Sequence, residues 1–134
     1  MIPGEGEQAK VDFAARAFEL ARAGETGPLG AYLDGGVPVD LANDNGDTLL
    51  MLAAYHAHEE TVRALLARGA DPGIANEKDQ TPLAAAVFKK EPGIVRALLD
   101  AGADPHAGTP SAVDAARMFG AYKFLDWFGL GPKF

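Results

Sequence analysis

Apolar residues fall along the chain in pairs of short helical stripes, each pair closed by a glycine. The clearest pair runs from Thr48 to Asp71, TLLMLAAYHAHEETVRALLARGAD. Its first segment, about 49–56, is short and Ala-rich, so a neighbouring helix can approach it closely. Its second, about 59–67, sets Val62, Leu65 and Leu66 at the spacing of a buried helical stripe. Gly69 follows where a helix closes through the left-handed conformation, and another residue there costs on the order of 1 kcal/mol. Thirty-three residues later, Thr81 to Asp104 repeats the text as TPLAAAVFKKEPGIVRALLDAGAD. Val95, Leu98, Leu99 and Gly102 take the places of Val62, Leu65, Leu66 and Gly69. A period of this length denotes one supersecondary unit stacked on copies of itself.

The flanks carry diverged copies. DFAARAFELARAG predicts an amphipathic helix from Asp12, with Asp12 as cap, Phe13, Ala17, Leu20 and Ala21 on one face, and Gly24 as stop. After a turn over Glu25 to Pro28 comes LGAYLDGG, a second helix with Leu29, Tyr32 and Leu33 on one side. Aligned on Gly36 and Gly69, this pair is a first copy. Asn45-Gly46 marks a tight turn between it and the second. At a slide of 30 residues a fourth copy aligns Ser111 with Thr81, Ala116 with Ala86, Leu125 with Val95 and Phe128 with Leu98. Its closing helix, YKFLDWFGL, has more large apolar residues than one inward stripe accommodates. The organisation expected is a flexible segment over residues 1–10, then one domain over 11–134 with repeats at about 12–43, 44–76, 77–107 and 108–130.

Composition narrows the class. The 134 residues are 48% hydrophobic, enough for one domain with one core. No apolar run has the length of a membrane span, and MIPGEGEQAK lacks the basic and apolar regions of a signal peptide, so a cytoplasmic location is expected. The absence of cysteine excludes disulfides and thiolate zinc sites. A net charge of −7 argues against a surface that tracks nucleic-acid phosphates. The abundance of Ala and Gly points to a GC-rich bacterial genome.

Asn45-Gly46 opens one copy, and its Thr48-Leu49-Leu50, Ala53-Ala54, Val62 to Leu66 and Gly69-Ala70-Asp71 are in register with Thr81-Pro82-Leu83, Ala86, Val95 to Leu99 and Gly102-Ala103-Asp104 of the next. On these positions the chain resembles the ankyrin-repeat family, as a small stand-alone member. The resemblance covers about Asp12 to Phe128 and implies an all-α solenoid: about four helix-turn-helix repeats with β-turn fingers, the two outer repeats being degenerate caps. Two departures stand out. The family's His after Thr-Pro-Leu is Met51 in one repeat and Ala84 in the next, so the loop hydrogen bonds of that His are replaced or absent. The family's Gly-His between helices is Ala57-His58 and Lys90-Glu91.

Nothing in the sequence has the arrangement of an active site. His56 and His58 are two apart and do not share a helix face, and His106 stands alone. Ser111 with Asp114 three residues on fits a helix cap rather than a nucleophile with its base. The glycines follow helices singly and form no phosphate loop. Asp44 and Asp47 lie on a water-exposed finger, where nothing shifts a carboxylate. No enzyme, metal or cofactor is expected.

The resemblance implies instead a non-catalytic module that binds a partner protein through its concave face and fingers. The family's contact positions fall here on Asp44, Asn45 and Asp47, on Glu77, Lys78 and Gln80, and on the inner-helix ends Tyr55 and His56, Phe88 and Lys89, Met118 and Phe119. Tyr55, Phe88 and Met118 are register equivalents, so stacking sets them in a ladder one repeat apart. The competing reading is that these large side chains only cover the junctions between repeats. The acidic fingers favour a partner with a basic patch, or else serve solubility alone. A second function class follows from the C-terminus, where Phe119, Tyr122, Phe124, Trp127, Phe128, Leu130 and Phe134 crowd the last sixteen residues. Tyr122, Trp127 and Phe128 are the candidate contacts of a self-assembling homo-oligomeric scaffold. The alternative there is that residues 129–134 fold back over the helix.

Overall fold

Glycine stops and hydroxyl starts cut the chain into short helices that pack side by side. The computed structural model describes residues 5–131, with side chains from Asp12 onward. Among the described residues there are eight helices and no strands: α1 (Glu5–Ala23), α2 (Thr26–Asp34), α3 (Leu49–Tyr55), α4 (Glu59–Ala67), α5 (Pro82–Phe88), α6 (Pro92–Asp100), α7 (Ala112–Met118) and α8 (Lys123–Trp127). They form antiparallel pairs in sequence order. The first members α1, α3, α5 and α7 stack in an inner row, and α2, α4 and α6 stack in an outer row.

This stacking explains the composition of the inner helices. Each of α3 and α5 lies against an inner helix on both sides and against its own outer partner. Every residue from Leu49 to Ala54 and from Pro82 to Val87 is therefore buried. Outer helices touch fewer neighbours and bury only a stripe: Val62 and Leu65 in α4, Ile94, Val95 and Leu98 in α6. Phe124 of α8 is fully buried and closes the C-terminal end of the core.

Hydroxyls start the inner helices. Thr48 Oγ1 accepts from the Met51 N–H at 3.1 Å, Thr81 Oγ1 from Ala84 at 3.2 Å and Ser111 Oγ from Asp114 at 3.1 Å. Each satisfies one of the free N–H groups of a first turn. The turn between paired helices needs a left-handed residue, and its φ is 72° at Gly24, 64° at Ala57, 57° at Lys90 and 69° at Gly120. Ala57 and Lys90 thus keep the geometry of the glycines they replace.

The N-terminal helix departs from expectation. It begins at Glu5 rather than at Asp12, because most residues of EGEQAKV are strong helix formers with acid in the first turn. Asp12 stands inside the helix and does not cap it. The segment expected to be flexible over 1–10 overlaps α1 from Glu5 onward, and residues 1–4 lie outside the described residues, as does Phe134.

Candidate interaction surface

Fingers come first in each repeat, and their backbone is tied down by asparagine. Asn43 Oδ1 accepts from the N–H of Asn45 and of Asp47, both at 3.0 Å. One repeat on, Asn76 Oδ1 accepts from Lys78 at 3.0 Å and Gln80 at 2.9 Å. Adjacent fingers are also bonded to one another. The Glu77 N–H donates to the Asn45 carbonyl at 3.0 Å, and Asn76 Nδ2 donates to Asp47 Oδ1 at 2.8 Å. Thr109 repeats the link, its N–H donating to the Asp79 carbonyl at 2.9 Å and its hydroxyl to Asp79 Oδ2 at 2.7 Å. These asparagines tie each finger to itself, and Asn76 also ties it to the one before. Their spacing of 33 was visible in the sequence, but the two side-chain bonds of Asn43 and the four of Asn76 were not.

The inner-helix ends face the fingers across a groove. Tyr55 is 41% exposed, Phe88 44% and Met118 65%. All three border one groove of about 370 Å³, together with Phe119, Gln80 and Pro110. Met51, Ala84, Ala85 and Ala115 line it as well. Met51 and Ala84 are the residues that replace the family's His, so the lining is apolar where a polar ring is usual. Phe88 and Phe119 meet edge to face with centroids 4.8 Å apart, which holds the C-terminal wall in place.

Cations gather along the rim opposite the fingers. Lys89 Nζ lies 4.6 Å from the centroid of Tyr55 and 5.8 Å from that of Phe88. His56 stands edge-on to Tyr55 at 5.3 Å. His56 is exposed, yet partial desolvation holds its imidazole below its ordinary value, and His58, Lys89 and Arg22 depress it further. His58 is engaged elsewhere. Its Nε2–H donates to the Arg22 carbonyl at 2.7 Å and closes the end of α1 from the neighbouring repeat. Sequence reasoning did not bring Arg22 to this rim, since it lies in the cap repeat and 34 residues from His56.

The other sequence-expected residues divide. Asp44, Asn45, Glu77 and Lys78 are exposed at the finger tips. Asp47 and Gln80 are engaged within the fingers, Gln80 Oε1 accepting from Asn76 Nδ2 at 2.7 Å. At the C-terminus Trp127 and Phe128 are half-buried against the core. The Arg96 guanidinium covers the Trp127 ring at 4.1 Å, and Phe124 meets it edge to face at 5.1 Å. Tyr122, the third residue expected as an oligomer contact, is 63% exposed.

Comparison with known proteins agrees with the geometry. The family model for ankyrin repeats (three copies) matches residues 20–109, more than half of the chain. An ankyrin repeat protein of Pseudomonas aeruginosa is 48% identical over 52 residues, 39% of this chain and 30% of that protein. Ankyrin repeat domain-containing protein 29 of Homo sapiens is 46% identical over 59 residues, 43% of this chain and 20% of that protein. The chain thus spans less than a third of the length of either relative.

Proposed function

The chain belongs to the ankyrin-repeat family, and on that premise we propose that it is a non-catalytic module that binds a partner protein in the groove between fingers and inner-helix ends. Ankyrin repeats are in general protein–protein interaction modules and generally lack catalysis. The observation that carries the reading for this chain is the alignment of Tyr55, Phe88 and Met118 along one apolar groove. Aromatic anchors in such a groove lose little rotamer entropy, and each contributes about 2 kcal/mol or more when a partner covers it. Asp44 and Glu77 on the fingers select a partner that faces them with a basic patch. No described helix is long and apolar enough to cross a membrane, and the proposed site of action is the cytoplasm.

Capture from the lysate of the source organism tests the reading. Tagged wild type retains a protein that Phe88→Glu releases, with helicity and melting temperature unchanged. Retention of the same proteins by both would remove the groove from consideration. The second reading, self-assembly through the C-terminal end, is favoured by the exposure of Phe119, Tyr122 and Leu130 there. Sedimentation of wild type and Tyr122→Lys separates the two: an oligomer dissociated by the substitution supports self-assembly, and a monomer in both cases ends it.

A further inference from the structure

The groove has opposite charges on its two rims. On the finger side Asp44, Glu77 and Asp79 are exposed, with Lys78 as the cation among them. On the other side the cations are Arg22 and Lys89, at the ends of the first and third inner helices, with the imidazole of His56 ending the second between them. Among the described residues neither Lys89 nor Arg22 enters an ion pair. Lys89 lies over the rings of Tyr55 and Phe88, both of which line the groove. The acids that follow these turns, Glu25, Glu59, Glu60 and Glu91, open the outer helices instead.

Building on the groove reading above, we infer that the occupant is a polypeptide segment carrying a carboxylate beside an apolar side chain. The apolar side chain enters between Tyr55 and Phe88, and the carboxylate meets the Lys89 ammonium at the rim shared with Arg22 and His56. The acidic fingers repel the same carboxylate, so the segment seats in one orientation. A chain with net charge −7 thus selects an acidic edge locally while its fingers face a basic one. The arrangement excludes a uniformly basic partner from the groove itself.

Three fluorescein-labelled synthetic peptides test this. They share apolar residues at helical spacing and differ only in one flanking edge, made of Glu, Gln or Lys. Anisotropy gives their affinities for wild type, Lys89→Gln and Phe88→Glu, and amide NMR shifts locate the contact. The Glu peptide binds wild type tightest, the Gln peptide about 2–5-fold weaker and the Lys peptide on the order of tenfold weaker. Lys89→Gln flattens that order, Phe88→Glu removes binding, and shifts fall on residues 55, 56, 88 and 89. Equal affinities, all lost with Phe88→Glu, would keep the groove and overturn its preference for acid. Absence of groove shifts with every peptide also overturns the inference, and the lysate capture then decides the groove reading separately.

Discussion

Ala57 and Lys90 hold left-handed backbone at φ 64° and 57°, in the turn where the outer repeats have Gly24 and Gly120. For an L-residue this conformation costs roughly 1–2 kcal/mol, through the approach of Cβ to the following carbonyl oxygen. Glycine removes that cost and returns about 0.5–1 kcal/mol of it as extra entropy of the unfolded chain. Ala57→Gly and Lys90→Gly are therefore each expected to stabilise by roughly 0.5–1 kcal/mol. The two sites lie in different repeats and share no hydrogen bond, so the double variant gains about 1–2 kcal/mol by additivity. For a domain of this size that is a rise in Tm of about 3–8 °C. Urea and thermal unfolding followed by circular dichroism measure it, with an unchanged m-value as the sign that only stability moved. Ala31→Gly, on the exposed side of α2, is the control of opposite sign, losing up to about 1 kcal/mol. A neutral or destabilising Ala57→Gly at constant m would refute the strain argument.

Three further outcomes follow from the packing. Phe124→Ala empties the fully buried site at the end of the core and costs about 3–5 kcal/mol, while Tyr122→Ala, exposed two residues away, stays within about 0.5 kcal/mol of wild type in the same urea titration. Thr81→Ala leaves the Ala84 N–H without its buried partner and costs about 1 kcal/mol, most of which Thr81→Ser restores. His56 carries a depressed pKa from partial desolvation and from neighbouring His58, Lys89 and Arg22. Below the ordinary imidazole value of about 6.5 the unfolded chain takes up a proton that the folded chain refuses. Its contribution to stability is thus present at pH 7.5 and is lost as pH falls toward the folded value. His56→Gln removes that part of the slope between pH 7.5 and 5.5, and an unchanged slope would show that His56 titrates freely.

Much of the fold was legible because its signals are local. A hydroxyl before an apolar run, a glycine after it and a stripe at helical spacing act within a few residues, and the period of 33 then implies stacking. The helix limits of α4 at Glu59–Ala67 follow from such signals. The start of α1 at Glu5 was missed because Pro3 and Gly4 ahead of it and Gly6 within it hid a run of good helix formers. The register of Tyr55, Phe88 and Met118 was likewise readable, being arithmetic on the repeat.

What the sequence by itself determined, then, is the unit, its period and the residues that each copy offers to a common face. Only the tertiary structure decided what those residues meet. Lys89 lies over Tyr55 of the preceding repeat, His58 closes the end of α1, and Asp47 is drawn into the finger that follows it. Arg96 of α6 covers the ring of Trp127 of α8. Each of these joins residues about a repeat apart, where distance depends on how one pair of helices seats on the next. A local pattern specifies a helix and its face; the neighbour that face receives is set by the stacking of whole repeats.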